Sequence, residues 1–418
     1  MRHPIFILGL LIYVNLNLKA QIDTVDTNII AQYAYEFNLE GEMLSGQGAD
    51  TLLTAINDAQ YVMLGNHHRS YQEEALALAI ARQLNIYGCH HIAMEIGVAS
   101  NQVLIEHLHS EEEASVQLKK LNREFGHTKN GIFYAPIPDL KSKASAQTID
   151  YISKQNWMLH GIGYDSWKSY NMIISHLYES LPQEEQMLNQ KLYEEVKFLL
   201  DILYEKVESQ NNIDILNFSD ELKSSLSIQK LFNTFNKYEK LEPNIESLKF
   251  SIDYWQMYGQ QKFYKKNKLN AQRNKILLNQ ILNHSDFNWK EDKLFIRMWR
   301  QHLTKGLTSN GFYGIGNTLN ELAELQGKKA VNIAVIQKFH SKDNKINEGP
   351  IPNDYYTSLF KDFIPLGKRD RYVLIDLTKF NKSFFWRGYH VPQSIADIYK
   401  RYDYLIISKL DRDTDNNN

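Results

Sequence analysis

The sequence is poor in cysteine, because Cys89 is the only one among 418 residues. A single cysteine cannot form an intramolecular disulfide, and it also excludes a metal site built from several thiolates. Stability must therefore come from burial of an apolar core, and 43% of the residues are apolar. A chain of this length can form one large α/β domain or two smaller ones.

The chain also lacks an excess of charge of either sign. It contains 47 Lys and Arg residues against 49 Asp and Glu residues, for a formal net charge of −2. A protein with so little net charge has no overall positive electrostatic potential that would attract nucleic acid or an anionic membrane surface. We find no nucleic-acid-binding module, and we expect the partner to be a small-molecule substrate.

A long membrane-spanning apolar run is missing as well. The run from Ile5 to Leu16 follows Arg2, is interrupted near its end by Asn15, and precedes Ala20, a small residue suited to a cleavage point. This pattern predicts a signal peptide over residues 1–20, with export to the periplasm or the medium. An uncleaved membrane anchor is the alternative. No cysteine follows the run, so a lipoprotein is not indicated.

The rest of the chain predicts an α/β fold. Helical patterns separate the earlier apolar runs, which indicates parallel strands joined by crossover helices. Long amphipathic patterns fill the stretch from Asp165 to Asn283. We therefore predict a mostly parallel sheet with flanking helices and a large all-helical insertion: residues 21–164 and 286–410 form the two halves of the α/β domain, 165–285 the insertion and 411–418 a disordered tail. The predicted strands are Tyr61–Leu64, His91–Glu95, Met158–Gly163, Leu294–Met298, Ala330–Ile336, Tyr372–Ile375 and Tyr404–Ser408.

Polar side chains follow two of these strands where the strands end. Gly65 and Asn66 lead into His67 and His68, directly before a helical pattern. Glu95 closes the next strand along the chain. The carboxyl ends of the strands in an open α/β sheet are where ligands bind. We therefore expect these groups to emerge from neighbouring strands and to form a site.

Together with other short motifs, these residues resemble the erythromycin esterase family. That family belongs to a wider group that includes haem-binding ChaN-like proteins and Tiki-type proteases. The motifs occur in the family's order and cover most of the mature chain. They are Gly65-Asn66-His67-His68, Glu95, His160-Gly161-Ile162-Gly163-Tyr164-Asp165, Arg273-Asn274, the segment Leu294–His302 and the strand Tyr402-Asp403-Tyr404-Leu405-Ile406-Ile407.

The resemblance implies a set of site residues. Asn66 stands where the family has a glutamate, and His68 matches the histidine that follows it. Glu95 matches a glutamate, Arg273 an arginine after the insertion and His302 a second histidine. An arginine that the esterases carry early in the helix after the first motif has no clear counterpart here, because the corresponding turns from Ala75 to Ile80 are apolar.

The chemistry of these residues fits hydrolysis. A histidine that titrates near neutrality can activate a water as general base when a carboxylate fixes its tautomer, and His68 with Glu95 can supply that pair. Arg273 and His302 would then stabilise an oxyanion or protonate a leaving alkoxide. Such a site needs no cofactor.

Two further residues are assigned to the substrate. We expect Asn66 and Asp165 to contact it. Asp165 is alternatively the N-cap of a helix that begins near Trp167. Several aromatic side chains are placed to line an apolar pocket between insertion and sheet; these are Tyr164, Trp167, Trp255, Tyr258 and Phe263.

Two alternatives to the metal-free hydrolase stay open. His68, Glu95 and His302, joined by Glu73 or Glu74, would make a ligand set for zinc or manganese, although no HExxH spacing supports one. The second alternative is a binding protein of the same group that has lost catalysis and holds a ligand such as haem or a metal. Asn66 in place of the family acid favours this second interpretation.

Overall fold

The structure is a computed structural model. It describes residues 27–66, 70–108, 112–129, 132–140, 142–207, 212–259, 266–282, 287–308, 311–342, 345–348, 359–387 and 391–412. The predicted signal peptide, His67, His68 and Phe263 lie outside these residues.

The described strands form a large central sheet and two small ones. Nine strands make the central sheet, in the order β2-β1-β12-β13-β9-β3-β8-β4-β7. The strands are β1 Ala34–Glu40, β2 Met43–Ser45, β3 Tyr61–Asn66, β4 His91–Gly97, β5 His127–Lys129, β6 Ile132–Tyr134, β7 Met158–Gly163, β8 Leu294–Trp299, β9 Ala330–Gln337, β10 Phe339–Lys342, β11 Lys345–Glu348, β12 Tyr372–Asp376, β13 Tyr404–Ser408 and β14 Asp411–Arg412.

The predicted α/β class is confirmed. All seven predicted strands are present, and six of them, from β13 to β7 in the sheet order, run parallel. The seventh, β12, is antiparallel to β13 and pairs with β1, which in turn pairs with the edge strand β2. One expectation is wrong, because β8 lies between β3 and β4. The strands that carry Asn66 and Glu95 are therefore not neighbours.

Helices cover the sheet and form the insertion. Between β7 and β8 the described α-helices are α7 to α12, as the sequence predicts for a helical insertion. The α-helices are α1 Thr27–Ala31, α2 Gln47–Asp58, α3 Tyr71–Ile86, α4 Val98–Leu108, α5 Ala114–Phe125, α6 Lys143–Lys154, α7 Tyr170–Glu179, α8 Gln183–Lys206, α9 Asn212–Ser224, α10 Leu226–Phe235, α11 Glu242–Gly259, α12 Lys266–Leu282, α13 Ile315–Leu325, α14 Leu377–Arg387 and α15 Gln393–Tyr399.

Strand alternation divides the core into layers on the two faces of the sheet. In β8, Leu294 and Ile296 pack into one apolar cluster, whereas Phe295 packs into the cluster on the opposite face. Successive side chains of a strand point to opposite faces, so Arg297 shares the face of Phe295. The same rule places Glu95 on the face of Ala93, which belongs to the first cluster.

Gly65 allows a turn to lie directly against β3. A Cβ atom at this position would lie 2.6 Å from the Cα atom of Arg300, closer than two such atoms can approach. Arg300 begins the 3₁₀ turn Arg300–Leu303 that follows β8. The glycine that ends the apolar run of β3 therefore brings the turn with His302 to the carboxyl edge of the sheet.

The predicted disordered tail begins too early. Asp411 and Arg412 form β14, which pairs in parallel with β10. The Asp411 carboxylate is buried and accepts hydrogen bonds from Ser70 and Gln337. Buried polar partners order a segment that its composition alone marks as low in complexity.

No helix among the described residues is long and apolar enough to cross a membrane.

Candidate active site

Glu95 lies where strand β4 stops pairing regularly with its neighbours. The register shifts between Met94 and Gly97, and the Glu95 carboxylate accepts a hydrogen bond from the backbone N–H of Trp299, with Oε2 at 2.9 Å from the nitrogen. The side chain thus continues the contact between β4 and β8 beyond their backbone pairing. It is fixed at the carboxyl edge of the sheet with one oxygen left for another partner.

That partner is Arg273 on α12. Its Nη2 atom lies 3.2 Å from Glu95 Oε1, and only 4% of the arginine side chain is exposed. Burial by itself lowers the pKa of Arg273, but Glu95 together with the nearby Tyr164 and Tyr254 raises this pKa above its ordinary value. The guanidinium therefore stays charged and pairs with the Glu95 carboxylate.

His302 completes a three-residue cluster. Its Nε2 atom lies 2.5 Å from Arg273 Nη1 and 3.8 Å from Glu95 Oε1. Arginine has only N–H donors, so Nε2 must be the acceptor and the imidazole must carry its proton on Nδ1. The cluster Glu95–Arg273–His302 therefore holds a neutral histidine in a defined tautomer.

Two tyrosines support this cluster from the insertion side. The guanidinium of Arg273 lies over the ring of Tyr164, with Cζ 4.5 Å from the ring centre. Tyr164 in turn stacks on Tyr254 of α11, with the ring centres 3.8 Å apart. Burial raises the pKa of Tyr164, so its hydroxyl stays protonated at neutral pH. The rings hold the guanidinium in place without competing for its charge.

A cavity of about 450 Å³ opens beside the cluster, between the strand ends and the insertion. Glu95 lines it, whereas Arg273 and His302 contact Glu95 but are not among the residues that line the cavity. Four of the five aromatic residues assigned to a pocket line this cavity, namely Tyr164, Trp167, Trp255 and Tyr258, and the fifth, Phe263, lies outside the described residues. Its size and mixed lining are typical of a small-molecule site.

Asn66 also faces the cavity, as the sequence predicts for a substrate contact. It is the last residue of β3, and its side-chain oxygen is buried without a hydrogen-bond partner among the described residues. An acceptor in this state is available to a ligand. His68, the predicted general base, lies outside the described residues, so its distance from Glu95 stays a prediction.

Asp165 does not face the cavity. Its carboxylate is fully buried and accepts hydrogen bonds from the backbone N–H of Ser100, at 2.8 Å, and from the hydroxyl of Ser247, at 2.6 Å. Burial raises its pKa, although these hydrogen bonds oppose the shift. Asp165 therefore caps the first turn of α4 and joins it to α11. Asp165 was expected to contact the substrate or to cap the helix near Trp167, and both expectations are wrong. The cap near Trp167 is Ser166.

We expect Asp165→Ala to destabilise the protein rather than to impair substrate recognition. The change leaves the Ser100 N–H and the Ser247 hydroxyl buried without their acceptor, which costs about 2–4 kcal/mol of unfolding free energy. Urea denaturation measures this loss. Asp253→Ala on the exposed side of α11 is the matched control and should cost under about 0.5 kcal/mol. Unchanged stability in Asp165→Ala would contradict the structural role.

The structure adds a second buried ion pair that the sequence reading missed. Arg297 of β8 places Nη2 at 2.8 Å from Oε2 of Glu74, in the first turn of α3. Both residues line the cavity. The signal in the sequence was a lone arginine inside an otherwise apolar strand. The family's arginine on the helix has no counterpart, but a guanidinium reaches the same helix from the neighbouring strand.

Several of the proposed metal ligands contact arginines. Among the described residues, no three His, Cys, Asp or Glu side chains are grouped to hold an ion. Arg273 takes the Nε2 lone pair of His302, and Glu74 is paired with Arg297. A ligand set through His68 therefore stays an untested alternative.

Comparison with known proteins identifies the fold. No family model and no curated protein matches the sequence. An erythromycin esterase variant in its open conformation superposes with a TM-score of 0.55 at 13% identity, covering 91% of this chain and 98% of that chain. The chain has the erythromycin esterase fold. The resemblance predicted from the motifs is thus confirmed at the level of the fold.

Two further solved structures share the esterase fold. A Bacillus cereus protein superposes with a TM-score of 0.52 at 16% identity, covering 94% of this chain and 99% of that chain. A succinoglycan biosynthesis protein gives 0.50 at 15% identity, covering 93% and 98%. Each of the three superpositions covers more than nine-tenths of both chains.

Proposed function

We propose that this protein is an exported hydrolase that cleaves an ester or related bond with a water activated by His68. The observation that carries the proposal is the cluster Glu95–Arg273–His302 beside a cavity that Glu95 lines. A largely buried carboxylate that pairs with an arginine and lines a ligand-sized cavity is costly to maintain and is suited to acid–base chemistry. The erythromycin esterase fold makes ester hydrolysis the preferred reaction.

In this mechanism Glu95 fixes and polarises the base. His68 accepts a proton from water as the water attacks the ester carbonyl, and the carboxylate stabilises the imidazolium that forms. The water oxygen then bonds to the carbonyl carbon, and the alkoxide leaves with a proton returned by the imidazolium. Ester and water give acid and alcohol, with no covalent enzyme intermediate.

Arg273 and His302 act through their contacts with Glu95. Arg273 pairs with the carboxylate, and its charge lies close enough to favour negative charge that develops in the cavity. His302 keeps its proton on Nδ1 because Arg273 occupies Nε2. In the described arrangement both residues position Glu95, so direct contact with the oxyanion is not part of the proposal.

A non-catalytic binding protein is the competing proposal. Asn66 supports it, because an amide at the family's acid position can orient a neighbour by hydrogen bonding but supplies no negative charge. Both proposals use the same cavity. They differ in whether a bound ester turns over.

The test is hydrolysis of aryl, alkyl and macrocyclic esters by the wild type and by His68→Ala. We expect weak activity that His68→Ala lowers by about 10²-fold or more, the usual contribution of a general base. The adjacent His67 remains in the variant, so a loss on changing His68 alone identifies His68 as the base. Asn66→Glu should raise the rate, because a second carboxylate favours the imidazolium.

The same assays separate the three proposals. Activity that survives a chelator and disappears in His68→Ala supports the metal-free hydrolase. Activity that depends on added zinc or manganese supports the metal site. No turnover by any variant, together with saturable binding of a ligand such as haem, would leave the binding protein. Export is tested by mass spectrometry, which should find Gln21 at the N-terminus of the secreted or periplasmic form.

A further inference from the structure

Arg297 is almost completely buried, and its ion pair with Glu74 leaves other donors of the guanidinium without a partner among the described residues. Only 3% of its surface is exposed, and it lies inside a central strand. Its Nε and Nη1 atoms have no hydrogen-bond partner among the described residues. Buried donors without partners cost about 1–3 kcal/mol each, so native proteins rarely keep them without a reason. Arg297 therefore has two unpaired hydrogen-bond donors, and it lines the cavity.

Two buried acceptors face the same cavity. The 2.8 Å contact between Arg297 Nη2 and Glu74 Oε2 is an ion pair without the alignment of a hydrogen bond, so this oxygen keeps an unused acceptor position. The side-chain oxygen of Asn66 is likewise buried and unpaired. We call Arg297, Glu74 and Asn66 the polar subsite. It offers donors and acceptors together on one cavity wall.

The charges of the polar subsite cancel. Glu74 neutralises Arg297, and Asn66 is uncharged. A second carboxylate or a phosphate entering here would meet no excess positive charge and would lie near the Glu74 carboxylate. In addition, Nη2 lies between Nε and Nη1 around the guanidinium, so the two free donors belong to different edges and do not form the bidentate fork that carboxylates prefer. The polar subsite is therefore poorly suited to an anion.

Hydroxyl groups match the polar subsite. A hydroxyl accepts from an N–H and donates to a carboxylate or amide oxygen, which is the combination that Arg297, Glu74 and Asn66 present. The aromatic rings of Trp167, Trp255 and Tyr258 supply an apolar wall to the same cavity. A ring with polar edges and an apolar face satisfies both surfaces at once.

We propose that the polar subsite binds an uncharged, polyhydroxylated group of the substrate, a sugar or a similar cyclic polyol, while its ester bond lies at Glu95. This inference rests on the proposed function for the position of the ester. Binding of the polyol itself does not depend on turnover. The substrate class is then an acylated polyol rather than an anionic or purely apolar ester.

The experiment compares three butyrate esters of similar size: glucose monobutyrate, cyclohexylmethyl butyrate and carboxycyclohexylmethyl butyrate. We expect wild-type kcat/KM to be at least about tenfold higher for the glucose ester, the effect of one or two hydrogen bonds. The variant Arg297→Met with Glu74→Leu removes the ion pair as a unit and should abolish this preference through KM. A general folding defect would lower all three rates together and leave their ratio unchanged.

The matched control, Arg82→Met with Glu42→Leu, removes the more exposed pair between α3 and the turn from β1 to β2, and should keep the preference. A wild-type preference for the anionic ester, or a glucose preference that survives in the Arg297 variant, would overturn the proposal. If no ester is hydrolysed, quenching of tryptophan fluorescence by butyl glucoside gives an independent readout. Saturable quenching that the Arg297 variant loses supports the polar subsite even when the hydrolase proposal fails, and its absence in the wild type overturns it.

Discussion

Glu95→Gln is expected to lower kcat for ester hydrolysis by about 10³-fold, within the range that acid–base groups contribute. Glutamine keeps the size of the side chain and an oxygen that can accept from the Trp299 N–H. It removes the negative charge that pairs with Arg273 and that would stabilise the imidazolium of His68. The loss should therefore appear in kcat, with KM changed much less.

Steady-state kinetics on the best ester of the panel, at a temperature well below unfolding, measures this effect. Glu112→Gln is the control, because Glu112 carries a similar pairing with Lys120 at the surface and its loss should leave kcat unchanged. If the folded Glu95→Gln enzyme retains more than about a tenth of the wild-type kcat, the loss is smaller than acid–base groups usually contribute. That result would remove Glu95 from the mechanism.

The sequence predicts the framework well because the framework depends on local patterns. Apolar runs such as Tyr61–Leu64 and Tyr404–Ser408 are long enough to mark buried strands, and the helical spacing after Asp165 marks the insertion. The strands Ala34–Glu40 and Met43–Ser45 were not predicted, because they are only partly buried and contain no continuous apolar run. Pairing order is also not local, which is why β8 was not expected between β3 and β4.

The site residues likewise differ in whether the sequence could reveal them. Glu95 could be singled out because it closes an apolar strand, and Arg273 and His302 because they match motifs of the family that the sequence resembles. The structure places the three side chains in contact. Asp165 could not be assigned correctly, because its partners Ser100 and Ser247 are distant in sequence. Arg297 was overlooked for a related reason: its partner Glu74 lies on another element, and only the tertiary structure brings the two together.

The second large effect is expected for stability. Arg273→Met should lower the unfolding free energy by about 3–5 kcal/mol, because it leaves the Glu95 carboxylate buried without its counter-charge. That is a substantial part of the 5–15 kcal/mol typical of a native domain. Chemical denaturation with a two-state check measures the loss. Lys223→Met, which breaks the exposed pair with Asp253, is the control and should cost under about 1 kcal/mol.

The double variant Glu95→Gln with Arg273→Met separates structure from chemistry. Neither side chain is then charged, so the buried-charge penalty disappears and stability should return to within about 1–2 kcal/mol of the wild type. Activity should not return, because the carboxylate that lines the cavity is still missing. Additive stability losses in the double variant would show that Arg273 and Glu95 do not depend on each other. Restored activity would show that the pair serves the fold alone and that the base is oriented by another group.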